Sequence, residues 1–221
     1  MVDIAADMKV ERQSLASEVA KRLSRLIQDG TIPPGTRLVE ADLAHQLGVS
    51  RGPLREALRV LEAAGLAESV HGKGTYTAAL SRRDAQEIYT LRILLEQEAC
   101  ALACSNATDA DLEEMEAILG ELFQAAHNQQ YKEAADLDIR LHQKIWQVAG
   151  NRRLEQVLQG LIIQARRYLS LQTIMYENLI VGVSDHRQII DAIRARDSAA
   201  ARETMRAHLA EAASAAMNIH D

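Results

Sequence analysis

Residues 32–78 read IPPGTRLVEADLAHQLGVSRGPLREALRVLEAAGLAESVHGKGTYTA. Pro33, Pro34 and Gly35 cannot continue a helix, so the chain turns before Leu38 and then starts a short helix through Leu43 and Leu47 that Gly48 stops. Ser50 is placed to cap the next helix and Pro53 to sit in its first turn, while Leu54, Ala57, Leu58 and Leu61 carry the helix to Gly65. Two short helices separated by a glycine turn form a helix-turn-helix. Beyond them, Leu66 to Val70 alternates like a strand, His71-Gly72-Lys73-Gly74 makes a tight turn, and Thr75-Tyr76-Thr77 returns as a second strand. That hairpin is a wing.

Upstream, Ser14 is a good N-cap, and Leu15, Val19, Leu23, Leu26 and Ile27 recur at helical spacing until Gly30. A helix-turn-helix offers base edges the N-terminal side chains of its last helix, here Ser50, Arg51 and Arg55, with Arg59 a turn further on. His71 and Lys73 at the wing tip would enter the adjacent minor groove, and Arg37, ahead of the second helix, would contact a phosphate. The bland alternative is a small helical bundle with solvated arginines. Helix, turn, helix pair and glycine-rich wing together in one short segment argue for DNA binding instead.

Charge is compatible with that reading. The chain of 221 residues carries a formal charge of −6, but residues 1–80 hold ten Lys/Arg against ten Asp/Glu, so all the net acidity lies in residues 81–221. All three prolines and seven of the eleven glycines fall in the first 74 residues, which leaves the remainder free for long helices. The boundary is expected near residues 78–82, dividing the chain into a reader, 1–78, and an all-helical effector and dimerisation domain, 79–221. The expected fold class is mainly α: a winged helix-turn-helix followed by an all-α helical bundle. No uncharged stretch exceeds ten residues, well short of the ~18 that a membrane span needs, so no membrane partner is expected. Residues 1–14 contain no apolar core segment, so a secretory signal is not expected either and the cytoplasm is. Cys100 and Cys104, four apart on one helix face, are expected as buried thiols.

In the second part, Ser81 and Asp84 have capping-box spacing, and Ile88, Leu91, Leu94, Leu95, Ala99 and Leu102 mark the inner face of a long helix. Further helices are expected from Thr108 to about Asn128, from Tyr131 to Ala149, from an Asn151 cap to about Leu171, from Asp185 to Arg196, and from Asp197 to Ile219. Asp138 and His142, four apart, share a face of one helix. His186 would stand at the start of a later helix and His208 within the last. Should these helices pack around a common core, the four side chains form a set suited to zinc, nickel or manganese. The spacing also fits a surface ion pair and partly buried histidines. Arg92 has Glu96 four residues on as a salt-bridge partner, and Trp146 is expected to pack in the core.

The stretch quoted above resembles the winged helix-turn-helix of the GntR family of bacterial transcription regulators, over about residues 14–78. The family pattern implies DNA contacts by Arg51, Arg55 and His71. The segments LRILLE, DLDIRLHQKIWQVAGNRRL, SDHRQIIDAI and MRAHL are similar to the FCD effector domain of the family's FadR-type branch. That resemblance implies a divalent metal, zinc first with nickel or manganese as alternatives, on Asp138, His142, His186 and His208. It also implies that Arg92 faces the carboxylate of a small organic-acid effector. The expected function is a metabolite-responsive regulator, a repressor acting as a homodimer on palindromic operator DNA. One alternative makes the metal itself the signal; another is a metal-dependent hydrolase or lyase, disfavoured because no general base stands outside the ligand set.

Overall fold

The computed structural model describes residues 15–175 and 179–218, with the side chains of 170–184 left aside. Ser14, the expected first cap, and Ile219, the expected end of the last helix, lie outside the described residues. Helix α1 (Leu15–Gln28) turns Val19, Leu23 and Ile27 inward, as their spacing requires, and Gly30 ends the segment at a φ of 76°. Helix α2 (Glu40–Leu47) closes on Gly48, whose φ of 66° puts it in the left-handed region that a glycine adopts without steric cost. Helix α3 is Arg51–Ala63, and the wing pairs β1 (Ala67–Val70) with β2 (Gly74–Thr77), antiparallel, with Ala67 opposite Thr77 and Val70 opposite Gly74. Leu23, Leu54, Leu61 and Leu66 are fully buried between these elements. Each such burial contributes about 1.5–3 kcal/mol.

Leu38 precedes α2 in extended backbone, where its N–H donates to the Thr75 carbonyl at 2.8 Å, and Arg37 bridges to Tyr76. The segment after the proline turn therefore joins the wing as a third short edge. Thr77 fastens it: its buried hydroxyl donates to the Pro33 carbonyl at 2.7 Å and accepts from the Thr36 N–H at 2.8 Å. Ser50 occupies the N-cap position of α3, but its hydroxyl makes no capping bond there.

The remaining helices are α4 (Arg82–Asn106), α5 (Asp109–His127), α6 (Tyr131–Val148), α7 (Arg152–Met175), α8 (Leu179–Arg194) and α9 (Ser198–Met217). They bury a second, separate apolar cluster, with α4 lying against α6, α7, α8 and α9. Thr108 and Asp111 form a full capping box on α5, and Asn151 Oδ1 accepts from the Arg153 and Leu154 N–H groups at the start of α7. The Ser81 box is only half made. Ser81 Oγ accepts from the Asp84 N–H, but the Asp84 carboxylate accepts from the Tyr168 hydroxyl at 2.9 Å, and the Ser81 N–H turns to Tyr168 as well.

Two expectations are corrected. Helix α8 begins at Leu179, so His186 lies two turns inside it rather than at its start. Leu91 and Leu94 are exposed at 48% and 55%, while Arg92 and Glu96 are buried on the inner face of α4 together with Ala99, Cys100 and Ala103. Small side chains let the neighbouring helices approach, and the two charges are admitted because they neutralise each other. Both cysteines are free and buried. Among the described residues, no helix is long and apolar enough to cross a membrane.

Helix α7 joins the two clusters. Ile163 packs against the apolar cluster of α1–α3, the Arg167 guanidinium donates to the Ala78 carbonyl, and Tyr168 holds Ser81 and Asp84. Lys132 at the start of α6 pairs with Asp29 after α1 at 2.9 Å.

Candidate functional site

On the N-terminal part, Ser50, Arg51, Arg55 and Arg59 are all exposed, and helical spacing puts the three arginines on one face of α3. Arg55 Nε is engaged with Glu40 Oε2 of α2 at 2.8 Å. His71 and Lys73 stand exposed in the turn of the wing, between strands that Gly72 and Gly74 allow to reverse with φ of 74° and 105°. Arg37, also exposed, lies at the wing, its guanidinium beside Gly74.

In the helical part, three elements bring four donors together. Asp138 and His142 project from one face of α6, His186 comes from α8 and His208 from α9, and one ligand atom from each lies within 4.8 Å of all the others. The imidazole centroids are 4.3 to 5.5 Å apart, and His186 Nε2 is 3.0 Å from Asp138 Oδ1. His142 and His186 are buried, while Asp138 and His208 are partly open, so the cluster has one more accessible side. At bonds of about 2.1 Å, the ligand atoms of a tetrahedral ion stand about 3.4 Å from one another, so donors that already lie within 4.8 Å would each close in by about 1 Å or less to hold one.

The protonation states suit that use. Burial would raise the Asp138 carboxyl, but the bond from His186 and the surrounding imidazoles hold it well below the usual carboxylate range. Burial and the neighbouring His186 and His142 rings push His208 well down, which keeps its imidazole neutral with a lone pair to give. His142 Nε2 is buried and has no hydrogen-bond partner among the described residues. A buried polar atom left unpaired in this way costs free energy that a metal bond would recover. Three imidazoles and a carboxylate are a donor set for a borderline divalent ion.

Behind His142 stands Glu96, fully buried. Its Oε2 accepts from His142 Nδ1 at 2.5 Å and from Trp146 Nε1 at 3.1 Å, and its Oε1 accepts from Arg92 Nε at 2.7 Å. Burial raises its carboxyl, but Arg92 and His142 outweigh that and hold it at about 2. The pairing of Arg92 with Glu96 that the sequence allowed is therefore present, and Arg92 Nη1 is left over, buried and without a partner among the described residues. Tyr89, one turn before, lies under the guanidinium with 5.1 Å from Arg92 Cζ to its ring centroid; its hydroxyl also finds no partner, and burial raises it to about 12. Sequence reasoning missed Tyr89 and saw Glu96 only as the partner of Arg92. The available signal was a charged pair four apart in a helix whose flanking residues at the same face are alanine and cysteine. Trp146 is in the core as expected, with a polar duty as well.

The bacterial regulatory proteins of the gntR family match residues 15–77, and the FCD domain matches residues 87–211. The Bacillus subtilis protein named "Uncharacterized HTH-type transcriptional regulator YdhC" is 33% identical over 190 residues, covering 85% of this chain and 84% of that one. The "Probable D-xylose utilization operon transcriptional repressor" of Paenarthrobacter nicotinovorans is 29% identical over 206 residues, 93% of this chain and 90% of that one. The solved structure of Escherichia coli McbR/YncC superposes with a TM-score of 0.79 at 24% identity, over 90% of this chain and 94% of the other, a likeness of fold. With a winged helix-turn-helix matched at one end and an FCD domain over more than half its length, the chain belongs to the GntR family of bacterial transcription regulators and is not an enzyme.

Proposed function

We propose that this chain is a metabolite-responsive repressor of a metabolic operon, in which residues 1–78 read DNA and residues 79–221 bind a divalent metal, a small organic acid and a second copy of the chain. The observation that carries it is the convergence of Asp138, His142, His186 and His208 from three helices, with the His142 Nε2 lone pair aimed at no other partner. Zinc is the ion assigned first, with nickel and manganese accepted by the same ligands. Bound there, it supplies positive charge and open positions to a carboxylate oxygen. Arg92 Nη1 and the Tyr89 hydroxyl, both buried beside each other with no further partner among the described residues, are the protein groups assigned to the rest of the effector.

Ser50, Arg51 and Arg55, with Arg59 a turn further on, are assigned to base edges, Arg37 to a phosphate, and His71 and Lys73 to the adjacent minor groove, where Lys73 reaches a phosphate. Reading by Arg55 requires release from Glu40, so that pair sets part of the cost of engaging DNA. Two readers on a palindromic operator give the contact area that one lacks, which is why a homodimer is assigned. A rearrangement of α6 around an occupied site reaches the reader through α7, which pairs with α6 at Arg166 and Asp136, clamps Ala78 and Ser81, and packs Ile163 into the reader's core. The xylose-operon relative supports the repressor sign and an operon of carbon metabolism as the target.

The test is a thermal-shift screen of small carboxylates on zinc-loaded protein, followed by anisotropy titration of operator DNA selected from a library. A hit that raises stability by mass action and weakens operator binding is expected. Purified protein that holds no divalent metal and takes none up would refute the metal-dependent reading, and DNA affinity blind to every carboxylate would refute the effector.

A further inference from the structure

The metal ligand His142 and the anion-facing Arg92 do not touch through any hydrogen bond of their own, yet both are fastened to one carboxylate. Glu96 is fully buried and receives three N–H groups, from Arg92 on one oxygen and from His142 and Trp146 on the other. An ionised carboxylate only accepts. His142 must therefore carry a proton on Nδ1, and in its neutral form Nε2 is then the bare nitrogen, the same atom that has no other partner. A ligand histidine whose far nitrogen donates to a carboxylate is fixed in tautomer and orientation and is made a better donor to the ion. On the other side, the Nε–H bond to Glu96 fixes the guanidinium plane and leaves Nη1 over for a ligand. Trp146 completes the acceptor's coordination and holds the carboxylate from rotating between its two clients.

We propose that Glu96 is the positioning residue of this site, presenting the His142 Nε2 lone pair to the metal and Arg92 Nη1 to the effector from one buried carboxylate. This rests on the metal reading of the four-residue cluster. It makes Glu96 a determinant of metal affinity although it is not a ligand, and it ties the geometry of the anion-binding side to that of the metal-binding side through one side chain.

The experiment uses the full chain, with zinc as the probe. Histidine 15N spectra of the metal-free wild type are expected to show His142 protonated on Nδ1 and bare on Nε2. Replacing the pair by apolar residues of similar volume, Arg92→Met with Glu96→Leu, leaves Nδ1 without an acceptor, and the proton is expected to shift toward Nε2. Zinc affinity, measured by chelator competition, is expected to fall about ten- to a hundredfold in that variant. Glu96→Gln keeps an amide oxygen for His142 but loses the charge, so it is expected to keep the tautomer and to bind zinc with intermediate affinity. A loss that came only from disturbed packing would not move the proton. A wild type protonated on Nε2 would overturn the proposal without any variant having to fold. Zinc bound equally well by wild type and the double variant would overturn the role of Glu96 and leave the metal site standing, whereas a wild type that binds no zinc would overturn the metal reading and this proposal with it.

Discussion

Arg92→Met removes one partner of an ion pair whose side chains are 2% and 0% exposed and whose N–O distance is 2.7 Å. Breaking a buried pair by deleting one side costs about 3–5 kcal/mol, because the remaining charge is left in a poorly solvating interior. Here Glu96 still accepts from His142 and Trp146, so the loss is expected at the lower end, about 3 kcal/mol. For a chain of this length that corresponds to a fall in Tm of roughly 6–12 °C. Trp146 is the only tryptophan, is fully buried and bonds to Glu96, so its fluorescence during urea unfolding of metal-free protein reports on this helical core directly. The second arm is Arg92→Met with Glu96→Leu, which removes the stranded carboxylate; because the Trp146 and His142 N–H groups then lose their acceptor, it is expected to recover about 1–2 kcal/mol of the loss rather than all of it. If Arg92→Met costs less than about 1 kcal/mol, or if the double variant is no more stable than the single one, the account of Arg92 as a charge admitted inside only by Glu96 is wrong.

Other parts of the molecule give equally direct checks. Asp111 is held well below the usual carboxylate range by Lys144 and Thr108, so its contribution is present above about pH 4, the unfolded value, and is lost as pH falls toward the folded one. Asp111→Ala should therefore cost about 1–2 kcal/mol at neutral pH and flatten the stability profile below pH 4, and an unchanged acid limb would contradict this. Tyr168→Phe strips the donor from Asp84 and the acceptor from the Ser81 N–H, an expected loss of about 1–3 kcal/mol in thermal unfolding; a neutral substitution would mean that α7 does not hold the segment entering α4. On operator DNA, Arg51→Ala should cost about 1–3 kcal/mol of specific affinity and much less on random DNA, while Lys73→Ala should weaken both and lower the salt slope by about one unit. Equal losses on both DNAs would remove Arg51 from base reading.

What was legible in the chain followed from local rules. The PPG turn, the glycine at 48, the apolar spacing of Leu54 to Leu61 and the glycines of the wing each dictate backbone conformation within a few residues, so the helix-turn-helix and its hairpin could be read directly. Helix ends marked by Thr108, Gly150, Asn151 and Asp197 were legible for the same reason, since a cap acts on its own first turn. The inner face of α4 was not. Counting leucines pointed to Leu91 and Leu94, yet the helix turns Arg92 and Glu96 inward, because their mutual bond and the N–H donors of α6, on His142 and Trp146, make a buried charge tolerable there. Nothing local announces that.

The site divides along the same line. Asp138 and His142 share a face by helical period alone, whatever surrounds them. That His186 and His208 complete the set, that Glu96 fastens His142, and that Tyr168 and Ile163 bind α7 to the other half were decided only by how distant helices pack. The sequence by itself determined the elements and the chemistry each carries, because propensity, capping and periodicity act over a turn or two. The tertiary structure decided which chemistries meet, because contacts between helices far apart in the chain depend on the shape of every side chain between them, and no local pattern encodes that sum.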